Sequence, residues 1–197
     1  SEKDKNVKVG DKTYATLAEA LTAVYISSPT DTVTIECKAN ADVGKMTHGH
    51  VADSITIEGN GAYVSAGERD LEFDTYLYDR TTGKQAAEGS EGEYLTKDVT
   101  VTVNNLNGIA AWGQRNTGKT VNLIFNNCKG MQRVYISGVT GTNNYTLNNC
   151  TFEGTDDPNA RPTEKSSNTS IYSNAPGTIE VNSCTFDNVA LGINLNN

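Results

Sequence analysis

A short string that returns at a fixed interval is the feature that most constrains this chain. The string reads apolar-x-apolar-Asn-Asn and ends in Cys or Leu, with Ser replacing the second Asn in the last copy. Its copies end at Leu106, Cys128, Cys150 and Cys184. The first two steps match a 22-residue period, and the third equals one period plus a 12-residue insertion. Upstream, Ile35 and Ile57 are separated by the same period. Such a period marks a repeat architecture.

Each repeat is a short strand followed by a bend. Alternation of apolar and polar residues indicates the strand, and Asn is typical of the bend. A βαβ unit needs about 30 residues or more, which exceeds this period. We therefore predict an all-β fold, a right-handed parallel β-helix with about 22 residues per turn, its strands stacked about 4.8 Å apart. An antiparallel sandwich also has short strands, but it does not explain why Asn and Cys return at this spacing.

Residues 1–31 predict a strand and a capping helix. Thr16 with Glu19 forms a capping-box pattern at the start of a helix that ends at Ser27-Ser28-Pro29, and residues 14–28 are expected to form the N-terminal cap. One face of this helix is apolar, and it consists of Leu17, Ala20, Leu21 and Val24. Such a helix covers the open end of a coil. We predict one domain over residues 1–197, with coils over 32–197 that are interrupted by insertions near 68–97 and 156–168.

Cys128, Cys150 and Cys184 occupy the position that Leu106 takes one turn earlier, which is an interior position. We predict that they are buried and unpaired, because stacked residues about 4.8 Å apart exceed the ~3.8 Å Cβ separation of a disulfide. A disulfide between adjacent turns is the alternative. A row of Asn105, Asn127 and Asn149, closed by Ser183, is expected at the bends in left-handed conformation. Their side-chain amides are expected to bond to the backbone or to the next Asn along the coil.

Charge and hydropathy exclude some functions. A net charge of −8 and a pI near 4.7 argue against a nucleic-acid partner, because phosphate contacts need clustered Lys and Arg. No apolar run approaches the ~20 residues of a membrane span, so membrane insertion is not expected. The Thr- and Asn-rich acidic surface predicts an extracellular or cell-surface location.

Candidate catalytic and metal-binding groups are sparse. Asp156 and Asp157 form an adjacent acidic pair within the second insertion, without an aligned carboxylate one turn away. His48 and His50, with Asp42 or Asp53, have the residue types of a metal site, but the sequence fixes no third ligand. We predict no catalytic residue, no metal and no cofactor.

A second strand follows each bend and predicts a binding surface. If its aliphatic residues point inward, alternation directs Trp112, Tyr135 and Tyr172 outward on consecutive turns. Sugar rings stack on aromatic faces of this kind. The predicted ligand-binding residues are Trp112, Tyr135, Tyr172, Arg133, Arg115 and Asn194. The alternative is that the 156–168 loop folds over these rings and buries them.

Two segments resemble turns of the pectate-lyase-like right-handed β-helix superfamily, namely 101–106 and 179–186. The segment 14–21 is similar to the helical cap that precedes β-helix modules in large surface proteins of gut-type bacteria. The resemblance implies a fold rather than an activity. We expect a non-catalytic extracellular module of a bacterial surface protein that binds glycan or a host protein. A polysaccharide lyase or glycoside hydrolase of the superfamily is the alternative, and a purely structural spacer is a third.

Overall fold

The structure is a computed structural model. It describes residues 4–27, 32–44, 54–64, 70–72, 78–79, 84–85, 98–114, 120–137, 142–153, 169–187, 189 and 191–195, which form mostly β-structure with one short helix. The elements of the first half are β1 (Val7–Val9), β2 (Lys12–Tyr14), α1 (Leu17–Ser27), β3 (Val33–Cys37), β4 (Ser54–Glu58), β5 (Asp70–Glu72), β6 (Tyr78–Asp79) and β7 (Lys84–Gln85). The later elements are β8 (Val99–Asn104), β9 (Ala110–Gln114), β10 (Thr120–Asn126), β11 (Arg133–Ser137), β12 (Thr142–Asn148), β13 (Thr151–Glu153), β14 (Thr169–Ser173), β15 (Ile179–Asn182), β16 (Thr185–Asp187) and β17 (Leu191–Leu195).

Helix α1 confirms the predicted helix and its cap. The Glu19 backbone N–H donates to Thr16 Oγ1 at 3.2 Å, and the Ala15 N–H donates to Glu19 Oε2 at 3.1 Å. The predicted apolar face is buried in the core. Strand β1 pairs antiparallel with both β2 and β3, so these two short strands extend the first sheet beyond β3.

The first sheet carries the 22-residue period in its register. Its strand order is β15-β12-β10-β8-β4-β3-β1-β2, and every pairing from β3 to β15 is parallel. Thr120 lies opposite Thr142, one period later in the sequence. Tyr145 lies opposite Ile179 across the longer step that contains the second insertion. The sequence period thus corresponds to strand neighbours in one sheet.

Two further sets of strands complete the described architecture. The second sheet has the order β17-β14-β11-β9-β5, with parallel pairing throughout. Strands β13 and β16 pair in parallel, and a parallel bridge joins Met131 to Phe152 in line with them. From β8 onward, each first-sheet strand is followed by a second-sheet strand, directly for β8 and β10, and after β13 or β16 for β12 and β15. The chain therefore visits the sheets in the same order on successive passes.

The core lies between the sheets and includes the cysteine column. Cys128 and Cys150 are fully buried and all three thiols are free, as predicted, whereas Cys184, which was also predicted to be buried, is half-buried because it lies on the last described pass. Each thiol donates to a first-sheet carbonyl of the preceding pass, in the pairs Cys128–Val103 at 3.6 Å, Cys150–Phe125 at 3.5 Å and Cys184–Leu147 at 3.5 Å. Each cysteine therefore occupies an apolar position of the core and also donates a hydrogen bond to a backbone carbonyl.

The bends confirm the predicted conformation but correct the predicted amide row. Left-handed φ angles of 52–53° occur at Asn105, Asn127, Asn149 and Ser183. The amide ladder is formed instead by the preceding residues, Asn104, Asn126, Asn148 and Asn182. Each of the last three donates from Nδ2 to the Oδ1 of the previous member at 2.9 Å. The first Asn of each pair ends its strand with an outward side chain, whereas the second turns the backbone and has an exposed side chain at two of its three positions.

The insertions are described only in part. β5 is an edge strand of the second sheet and its Leu71 is buried in the core, and β6 pairs antiparallel with β7 within the 68–97 insertion. The 156–168 insertion, with Asp156 and Asp157, lies outside the described residues. So do His48, His50 and Asp53.

Candidate ligand-binding face of the second sheet

The predicted aromatic column is a register column of the second sheet. Tyr135 lies opposite Trp112 on one side and Tyr172 on the other, and Tyr172 lies opposite Asn194. The aliphatic neighbours of these residues are buried, namely Ile109, Ala111, Val134, Ile136 and Ile171. Because successive side chains on a strand point to opposite faces, Tyr135 and Tyr172 lie on the outer face of the sheet, where Ala110 and Ser170, each two positions before a member of the column, are nevertheless buried.

Tyr135 and Tyr172 stack directly on each other. Their ring centroids are 4.6 Å apart and the ring planes differ by 13°. Both side chains are half-buried, so part of each ring reaches the surface of the described structure. The backbone of Trp112 is described but its side chain is not, and Arg115 lies outside the described residues. The stacked pair is therefore the described part of the predicted aromatic surface.

Polar groups flank the stacked pair on the same face. Arg133 is the first residue of β11 and lies two positions before Tyr135, on the same side of the strand. Asn194 in β17 is half-buried and continues the column beyond Tyr172. The stacked rings turn their faces towards each other, so this surface offers ring edges beside a guanidinium and an amide to a ligand with apolar C–H groups and several hydroxyl groups.

A carboxylate pair at the other side of the molecule was missed from the sequence. Glu36 and Glu58 lie opposite each other on β3 and β4. Asn60 links them, since its Nδ2 donates to Glu36 Oε1 at 3.0 Å and its backbone N–H donates to Glu58 Oε2 at 2.9 Å. Asn105 Nδ2 also approaches the Glu58 carboxylate, at 3.2 and 3.3 Å. The available signal was the identical position of the two Glu residues, directly after Ile35 and Ile57 in successive repeats.

The carboxylate pair has an electrostatic effect on the core beneath it. Burial, followed by the negative charges of Glu36 and Glu58, raises the pKa of the Cys37 thiol to about 11. Both carboxylates lie on the outer side of the first sheet, where Glu36 is exposed and Glu58 half-buried. Within the described ranges, no three His, Cys, Asp or Glu side chains group as a metal site would require.

Comparisons with family models, curated proteins and solved structures found no match to this chain. Among the described residues, the helix is too short to span a membrane.

Proposed function

We propose that this chain is a non-catalytic, extracellular module with a right-handed parallel β-helix fold that binds glycan through the outer face of its second sheet. The fold is supported by the parallel pairing of strands in register with the sequence repeat, and by the repeated order in which the chain visits the sheets. Parallel strands joined by a crossover are almost always right-handed. The acidic surface, rich in Thr and Asn, supports a location on the surface of a bacterial cell.

The observation that carries the binding proposal is the stacked pair of Tyr135 and Tyr172. The described residues leave these rings half-buried at the surface of the sheet. Rings held at 4.6 Å form a rigid platform that needs little further ordering when a ligand arrives. Sugar C–H groups would pack against the outward ring edges, and Arg133 and Asn194 would bind hydroxyl groups. Trp112 and Arg115 are the further residues that the sequence predicts for this surface.

A glycan-array screen followed by titration calorimetry tests this proposal. The variant Tyr135→Ala/Tyr172→Ala is expected to keep the fold and to lose at least about tenfold in affinity, equivalent to about 1.4 kcal/mol. The matched control is Tyr63→Ala, since Tyr63 is 53% exposed and lies outside the second sheet. Unchanged glycan binding by the double variant would refute the proposal. An early melting transition of the double variant, combined with no glycan binding by the parent, would also refute the proposal, because the rings would then have a structural role.

The Glu36–Glu58 pair supports a second candidate, a glycoside hydrolase. Retaining enzymes hold two carboxyl groups about 5–5.5 Å apart, and opposite residues on neighbouring parallel strands are about 4.8 Å apart. Reducing-sugar release and unsaturated-product absorbance, measured on a polysaccharide panel, separate hydrolase, lyase and binder. Activity that is present in the parent and abolished by Glu36→Gln or Glu58→Gln would replace the non-catalytic assignment.

A further inference from the structure

Cys128, Cys150 and Cys184 form a line of thiols, hereafter the thiol column. The carbonyls that accept from the three Sγ atoms belong to successive register partners of the first sheet, namely Val103, Phe125 and Leu147. The thiols therefore repeat at the spacing of neighbouring strands, about 4.8 Å. Interactions between the thiols themselves link Cys150 with Cys128 on one side and with Cys184 on the other.

This spacing suits an ion that binds two sulfur atoms in a line. An ion midway between sulfur atoms about 4.8 Å apart lies about 2.4 Å from each of them, and metal–thiolate bonds in zinc sites are about 2.3 Å long. Zinc itself prefers four ligands in a tetrahedron, and three thiols in a line do not provide that geometry. Copper(I) is a soft ion that prefers sulfur ligands, and it accepts two ligands in a line.

The surroundings of the column favour a cation. Cys128 Sγ lies 3.6 Å from the carbonyl oxygen of Asn126 as well as from that of Val103. Cys150 Sγ lies 3.5 Å from the carbonyl oxygens of Phe125 and Asn148. The negative ends of four backbone dipoles therefore lie next to these two sulfur atoms. Both cysteines are fully buried, so water does not compete for an ion held between them.

A monovalent ion also satisfies the charge balance of an apolar core, where an unpaired charge costs several kcal/mol. When copper(I) binds, one cysteine loses its thiol proton to solvent and forms a copper–thiolate bond. The neighbouring thiol keeps its proton and donates a sulfur lone pair to the ion. One positive ion thus replaces one proton, and the buried unit stays neutral.

The apolar role of this position does not by itself require cysteine. Leu106 occupies the equivalent position one pass before Cys128, and it is buried to the same degree. Cysteine on consecutive passes, in contrast, is what places two sulfur atoms within reach of one ion.

We propose that the thiol column binds copper(I), with one ion held between Cys150 and either Cys128 or Cys184. Cys150 is a ligand in both arrangements, because it is the middle member of the column. This site is separate from the tyrosine face, so its failure would leave the glycan proposal intact.

Three single variants distinguish a site made of adjacent thiols from a general affinity of thiols for copper. Cys128→Ala and Cys184→Ala each leave two adjacent thiols in the column. Cys150→Ala leaves the same number of thiols, but the two in the column then lie about 9.6 Å apart, which is beyond the reach of one ion. Cys37→Ala is a further control, because Cys37 is buried outside the column.

Each full-length protein is incubated with copper(I) under anaerobic conditions until uptake is complete, since local opening of the fold admits ions to buried positions. Bound copper is then measured in competition with a copper(I) chelator of known affinity, and circular dichroism confirms the fold. We expect one copper per chain in the parent and in every variant except Cys150→Ala. The affinity of Cys150→Ala is expected to fall at least about 100-fold, because one of its two sulfur ligands is lost.

Equal copper affinity in the three column variants would overturn the proposal, and so would a folded parent that takes up no copper. If Cys150→Ala does not fold, X-ray absorption of the copper-loaded parent decides the question. Two sulfur neighbours at about 2.3 Å from the copper would support the site. A single sulfur neighbour, or nitrogen and oxygen neighbours alone, would overturn it.

Discussion

Removal of the Asn126 side chain tests whether the amide ladder stabilises the first sheet. Asn126 makes two ladder bonds, since its Nδ2 donates to Asn104 Oδ1 and its Oδ1 accepts from Asn148 Nδ2, both at 2.9 Å. A hydrogen bond contributes about 0.5–1.5 kcal/mol net, so Asn126→Ala is expected to lower the free energy of unfolding by about 1–3 kcal/mol. For a chain of this size, that corresponds to about 2–4 °C of melting temperature per kcal/mol.

Two variants on the same face serve as references. Asn182 makes one described ladder bond, so Asn182→Ala is expected to cost about half as much as Asn126→Ala. Thr146 is half-buried in β12, and its hydroxyl makes no hydrogen bond among the described residues, so Thr146→Ala is expected to stay within about 0.5 kcal/mol.

The measurement is thermal and urea unfolding followed by circular dichroism. A double-mutant cycle of Asn104→Ala with Asn126→Ala isolates the pairwise energy of one rung. Asn126→Ala that is as stable as Thr146→Ala, or a coupling energy near zero, would show that the ladder is a consequence of strand register and contributes no stability.

Three further predictions follow from the core and the bends. Cys150→Asp is expected to prevent folding, because a buried unpaired charge costs several kcal/mol, and a native circular-dichroism spectrum for this variant would contradict the buried position. The pKa of Cys37 is raised from 9.0 to about 11, so its contribution to stability is complete below pH 9 and is lost as pH rises towards 11. Cys37→Ala should reduce the loss of unfolding free energy between pH 9 and 11 by up to about 2–3 kcal/mol. Identical pH profiles of stability for the variant and the parent would contradict this prediction. Asn127 has a left-handed φ of 52°, so Asn127→Gly should be nearly neutral whereas Asn127→Val should cost about 1–2 kcal/mol, and equal melting temperatures for the two would exclude that conformation.

The sequence predicts the strand register because the physical constraint is itself periodic. A slip of one residue would move Leu123 and Phe125 from the core to the surface, so the apolar alternation and the 22-residue step define one pairing. The capping helix was predictable for a similar reason, since Thr16 and Glu19 satisfy local N–H groups whatever the rest of the chain does.

The errors arise where adjacent residues are chemically alike or where neighbours decide the outcome. Asn126 and Asn127 are identical, and only the backbone shows that the first ends the strand and the second turns. The Glu36–Glu58 pair was missed because each Glu reads as an ordinary solvent-facing residue until the strands are aligned. The exposure of Leu195 depends on which residues pack against it, and the sequence period alone does not give this information.

The first-sheet register holds across steps of 22, 34 and 46 residues, as in the pairs Thr120–Thr142, Tyr145–Ile179 and Ser54–Thr100. Chain length between strands is therefore uncoupled from the pitch of the stack. Loop entropy rises only slowly with length, by about 0.6 kcal/mol for each doubling. Segments between Glu153 and Thr169 could thus be exchanged for foreign sequences while Leu147 and Val181 stay paired. The scaffold is suited to displaying grafted peptides at a chosen height along a rigid stack.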